Sequence, residues 1–204
     1  MNLPNKLTVI RIICTPLVML ALLWEFPFHY AVALALFIGA SLTDLFDGKI
    51  ARSRGLVTDF GKFVDPLADK MLTTAAFLGF IELKIGYGIV WIVFIVLFRE
   101  FLVSSLRLVA VTSGGKVIAA NIWGKLKTVF QMTAIIFAIT AEQAKEILNI
   151  PQVSKCFGGA FSVENIEFGL DVVTSLLLWI SAVLCIISGV IYLWQNRKCV
   201  DPKK

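Results

Sequence analysis

The chain has 204 residues, of which 58% are hydrophobic and 16% charged, with a formal net charge of +5. An ordinary soluble domain is less apolar and nearer a quarter charged, so that class is excluded, and apolar runs that approach a bilayer crossing recur along the whole length. The nineteen lysines and arginines form no aromatic-interleaved patch, which excludes nucleic acid as a partner.

The expected fold is an all-α integral membrane protein, a single domain over residues 1–204 with six transmembrane helices. The first span covers about Leu7 to Trp24; Arg11 interrupts it and no small-residue cleavage site follows, so it reads as a span and not as a signal peptide. Glu25 to Tyr30 forms a short outer loop, whose His29 is expected to be solvated and without a role. The second span begins near Tyr30, but its apolar run stops at Ala40, too short for a hydrocarbon core of about 30 Å. The helix must therefore continue to Asp44 and Asp47, which then lie roughly 20 to 25 Å from the outer edge.

Ser53 to Phe60 supplies a turn, and a third span runs from about Gly61 to Leu83 with Asp65 and Asp69 at its start. Pro66 removes one helical hydrogen bond there and is expected to open the helix locally. A fourth span runs from about Gly88 to beyond Arg107, and a fifth from about Asn121 to Ala141. Glu142 to Glu167 reads as a polar outer loop with room for a short surface helix at Glu142 to Leu148. The sixth span, about Phe168 to Trp194, ends in the basic tail Arg197, Lys198, Lys203 and Lys204. Of the nineteen basic residues, all but Lys84, Lys145 and Lys155 fall on the side of the aspartates, so the positive-inside rule puts that side and both termini in the cytoplasm. Cys14, Cys156, Cys185 and Cys199 show no paired spacing, and neither a disulfide framework nor a zinc site is expected.

Asp44 and Asp47, like Asp65 and Asp69, are spaced three or four apart and share a helical face. Two adjacent helices can then aim four carboxylates into one pocket at the cytoplasmic ends of the second and third spans. At an effective dielectric near 20, two like charges about 4 Å apart repel by about 4 kcal/mol, so such a cluster must take up protons or cations. An all-oxygen set without nearby His or Cys suits Mg²⁺ or Mn²⁺, with room for two ions, and such clusters act on phosphates. Gly48 and Gly61 let a bulky ligand approach the backbone, and Arg52 is a natural partner for a phosphate or for an aspartate.

The run Asp44-x2-Asp47-Gly48-x2-Ala51-Arg52-x8-Gly61-x3-Asp65-x3-Asp69 resembles the signature of the CDP-alcohol phosphatidyltransferase family at every fixed position. The resemblance implies that Asp44, Asp47 and Asp65 hold metal and the nucleotide diphosphate. It implies that Asp69 joins the metal site and serves as general base, with Gly48, Ala51, Arg52 and Gly61 around the cytidine diphosphate. It further implies a lipid donor entering from the bilayer, a homodimer and a bacterial cytoplasmic membrane.

Softer motifs point to the acceptor: Asn2 to Arg11 with Thr8, the pair Arg99-Glu100, Ser104 to Arg107, and Gly124 to Thr128 with Lys125 and Lys127. They resemble the branch of the family that acts on glycerol 3-phosphate, which implies transfer from CDP-diacylglycerol to that acceptor, giving phosphatidylglycerophosphate and CMP. Thr8, Arg11, Arg99, Arg107, Lys125 and Lys127 are the candidates for the acceptor phosphate, Arg107 foremost. Lys125 and Lys127 cannot share a helical face, so one is free to snorkel to headgroups, and Arg99-Glu100 also fits a buried structural pair. Other acceptors, such as inositol phosphate or phosphatidylglycerol, remain open. A divalent-cation transporter is the rival from another class, but its site belongs near the midplane and not at the cytoplasmic edge.

Overall fold

The computed structural model describes residues 3–54, 59–112, 122–151, 153 and 163–195; the side chains of residues 3–7, 44–54, 59–66, 69 and 107–112 lie outside the description. The described residues form helices and turns, with no strand among them. The long helices are α1 (Leu3–Leu23), α2 (His29–Arg54), α3 (Asp59–Glu82), α4 (Ile89–Thr112), α5 (Ile122–Leu148) and α6 (Val163–Gln195). In α4, α5 and α6 the apolar stretch is long enough to cross a bilayer unaided. Among the described side chains, α1 and α2 carry apolar stretches at Thr8–Leu23 and His29–Thr43. The protein is a multi-pass membrane protein.

Two groups of helices make up the bundle. α1 packs against both α2 and α3, α6 packs against both α4 and α5, and the groups meet through α2 with α5 and α3 with α4 and α5. All six helices enter one buried apolar cluster, including Val18 and Leu22, Phe37, Phe77 and Phe80, Ile92, Ile135 and Leu178. Large apolar side chains also cover the outside, Trp91, Phe94, Phe98 and Phe101 along one face of α4 among them. In lipid that exposure carries no penalty, so association depends on close packing between helices. Gly79 of α3 shows this: a Cβ there would come within 2.9 Å of Leu22 on α1.

Helix ends are tied down at the end of the bundle away from the aspartate motif. α3 stops in a Schellman motif, in which Ile85 N–H donates to Phe80 C=O at 2.9 Å and Lys84 N–H to Ile81 C=O at 3.2 Å. The position that usually takes glycine is Lys84, in the left-handed region at φ 56°. The following turn docks on α6: Tyr87 N–H donates to Ser175 Oγ and Trp179 Nε1–H to Tyr87 C=O, both at 2.9 Å. At the start of α2, Ala31 N–H, one of the four donors without an intrahelical partner, is capped from α5 by Gln143 Oε1 at 2.8 Å.

Three expectations need correction. His29 is buried, with its Nδ1 3.2 Å from Ala21 C=O and its ring 3.9 Å from that of Tyr30. Glu142 to Leu148 is no separate surface helix but the end of α5, held there by Lys145, which pairs with Glu142 at 2.6 Å and with Asp171 of α6 at 2.8 Å. α3 continues as one helix through Pro66, so the proline does not divide it. Lys155, the tail beyond Gln195 and most of the fourth-to-fifth connection lie outside the described residues.

Candidate active site

α2 continues as one helix through Asp44, Asp47, Gly48, Ala51 and Arg52, and α3 carries Gly61, Asp65 and Asp69. Each aspartate pair therefore shares a helical face. Contacts with α1 fix the relative heights of the two helices, since His29 meets Ala21 while Gly79 meets Leu22. Counting 1.5 Å per residue inward from that level, Asp44 and Asp47 lie at about 22 and 27 Å, and Asp69 and Asp65 at about 15 and 21 Å. All four fall in a band of about 12 Å, with Thr8 and Arg11 of α1 at about 21 and 16 Å. The aspartate side chains, and those of Arg52 and Arg107, are outside the described residues.

Arg11 is fully buried, and its Nε–H donates to Ala40 C=O at 3.2 Å, one turn before Asp44. Thr8, one turn away on α1, is buried as well. An arginine in the apolar part of a span is costly unless it faces the bundle interior, and these contacts put it there, against the motif-bearing turn of α2.

A cluster of charges lies immediately beside Asp69. Lys70 donates to Ser104 Oγ and lies 3.8 Å from Glu100 Oε2. Glu100 Oε1 accepts from Arg99 Nη1 at 3.0 Å and from Lys127 Nζ, while Arg99 Nε–H donates to Ser188 Oγ at 3.2 Å. One carboxylate thus gathers cations from α3, α4 and α5, with α6 supplying the serine. Removing one member of such a buried pair typically costs about 3–5 kcal/mol, because the remaining charge is left uncompensated. Among the described residues, Lys70, Arg99 and Lys127 gather around the carboxylate of Glu100.

These residues line a cavity of about 80 Å³, together with Thr73, Thr128, Gln131 and Met132. Gln131 is buried, and its Oε1 has no hydrogen-bond partner among the described residues. The cavity thus presents cationic groups, the Glu100 carboxylate and one unsatisfied acceptor oxygen.

Of the candidates for the acceptor, Arg99 and Lys127 come together at this cavity, with Lys127 only 5% exposed. Lys125 is exposed on another face of α5, as the two-residue spacing requires. Arg107 belongs to α4, about two turns beyond Glu100. The sequence reading missed Lys70 and Gln131 and undervalued Glu100. Their signal was present, since each is polar within an otherwise apolar helix, but which polar residues converge depends on how α3, α4 and α5 rotate against one another.

The fold is that of a helical membrane protein with a charged cavity among α3, α4 and α5. The family model for CDP-alcohol phosphatidyltransferase matches residues 1–194, and the chain belongs to that family. The chain is 35% identical to the CDP-diacylglycerol–glycerol-3-phosphate 3-phosphatidyltransferase of Bacillus subtilis (strain 168), over 96% of this chain and 95% of that protein. Proteins of the same name from Rickettsia bellii (34% identity, 97% and 96% coverage) and Rickettsia prowazekii (35%, 94% and 93%) are similar over comparable lengths.

Proposed function

We infer that this chain transfers a phosphatidyl group from CDP-diacylglycerol to sn-glycerol 3-phosphate, giving phosphatidylglycerophosphate and CMP. Full-length similarity to relatives named for this reaction supports it. The observation that supports the choice of acceptor is the cavity lined by Lys70, Arg99 and Lys127, whose cationic groups complement a phosphate monoester.

Asp69 takes the proton of the acceptor hydroxyl, whose oxygen then attacks the β-phosphorus of the donor; the phosphoanhydride bond breaks and CMP leaves. Arg99 and Lys127 hold the acceptor phosphate, with Thr8, Arg11 and Arg107 closing the space around it and Lys125 at headgroup level. Gly48, Ala51, Arg52 and Gly61 surround the cytidine diphosphate together with Asp47. The four aspartates offer only oxygen donors, on two helices at matched heights, which fits Mg²⁺ or Mn²⁺, two ions in all, held by Asp44, Asp47, Asp65 and Asp69. When bound, such ions neutralise the diphosphate and the departing phosphate.

In this reading the chain is one domain whose six helices all cross the cytoplasmic membrane, with both termini and the active site facing the cytoplasm. The excess of lysine and arginine on the motif side supports that orientation. The protein works as a homodimer surrounded by membrane lipids. The test is CMP release by purified protein given CDP-diacylglycerol and a panel of acceptors. Release with glycerol 3-phosphate is expected; release with inositol phosphate or phosphatidylglycerol but not with glycerol 3-phosphate would overturn the acceptor assignment.

A further inference from the structure

We propose that Gln131 is a specificity-determining residue of the acceptor site, its amide oxygen accepting a hydrogen bond from the acceptor hydroxyl that does not react. The proposal rests on the acceptor reading above and adds a residue outside the sequence motifs that led to it. Gln131 is only 3% exposed, and its Oε1 is buried without a partner among the described residues. A buried acceptor left unpaired is expensive, and native proteins rarely retain one without a use. This one lines the same cavity as Lys70, Arg99, Glu100 and Lys127.

The surroundings say what kind of donor it takes. Lys127 lies one helical turn away on α5, and its ammonium group is committed to Glu100. Arg99 is likewise held by Glu100 and Ser188. No described residue donates to this oxygen, so a ligand carrying its own donor would satisfy it, and a ligand drawn to Lys70, Arg99 and Lys127 is anionic. A phosphate dianion has no proton to give, so the donor is a hydroxyl elsewhere on the same molecule. Glycerol 3-phosphate has two hydroxyls. The one at C1 gives its proton to the base, which leaves the one at C2 for Gln131.

A site that hydrogen-bonds a hydroxyl rejects the analogue lacking it, because its own polar group is then left unpaired. The experiment compares glycerol 3-phosphate with propane-1,3-diol monophosphate, which keeps the phosphate and a primary hydroxyl but has no C2 hydroxyl. For the wild-type protein, kcat/KM is expected to favour glycerol 3-phosphate by at least about tenfold. In Gln131→Met, of similar length but without the oxygen, the preference is expected to fall to within about twofold. In Gln131→Glu, which keeps an acceptor oxygen, the preference persists even where overall activity drops. A merely structural role would lower both acceptors equally and leave the ratio intact, and a ratio unchanged in Gln131→Met would overturn the proposal. Wild-type protein inert toward glycerol 3-phosphate would overturn the acceptor reading and this proposal together, whereas an active wild type with no preference would overturn this proposal alone.

Discussion

At the scale of single residues, chemistry and positioning fall to different side chains. Asp69 is the assigned base, and asparagine at its position cannot take a proton, so Asp69→Asn is expected to lower kcat by roughly 10²–10⁴-fold. CMP release at saturating substrates measures this, and full activity in the variant would remove Asp69 from its role. Glu100 acts differently, as the shared counter-charge of Lys70, Arg99 and Lys127. Glu100→Gln leaves these cations without it and is expected to cost about 3–5 kcal/mol of stability. Unfolding in detergent should also show that adding Lys127→Gln costs less in this background than in the wild type, since the stranded charge is then gone.

At the scale of elements, the length of α2 matters most to the site. A helix ending with its apolar run at Ala40 would leave the motif in a loop, with no shared face for Asp44 and Asp47. Continuation to Arg54 puts Asp44 and Asp47 on one helical face. The outer turns are less well adapted, and Lys84 is an example. It occupies the left-handed C′ position of the Schellman motif that ends α3, where a side chain carries a penalty of about 1 kcal/mol that glycine lacks. Lys84→Gly is therefore expected to stabilise the protein by about 1 kcal/mol without altering kcat, since the turn lies at the opposite end of the bundle from the aspartates. Thermal unfolding and the CMP assay on the same preparation check both parts.

At the scale of the whole molecule, the proposed reaction requires a lipid-soluble donor and a water-soluble acceptor to meet at one height. α1 has a central part, since it packs on both motif-bearing helices and holds Arg11 against the turn before Asp44. In the proposed reading the four aspartates repel one another unless cations are bound, so activity is expected to depend on divalent metal. Chelation is expected to abolish CMP release, and Mg²⁺ or Mn²⁺ to restore it. Undiminished activity in excess chelator would argue against the metal assignment.

The sequence by itself determined the membrane class, the order of the helices and the continuation of the second helix into the motif, because hydropathy and residue spacing are local properties and a bilayer permits few alternatives. It also carried the family signature, whose positions lie on two neighbouring helices. Local pattern misjudged His29 and the end of α5, where Ala21 and Asp171, distant in sequence, decide what is buried and what is helical. Only the tertiary structure decided that Lys70, Arg99, Glu100, Lys127 and Gln131 share one cavity. The physical reason is rotational: a helix displays a polar residue in one direction, and whether that direction meets a partner depends on how its neighbours pack against it.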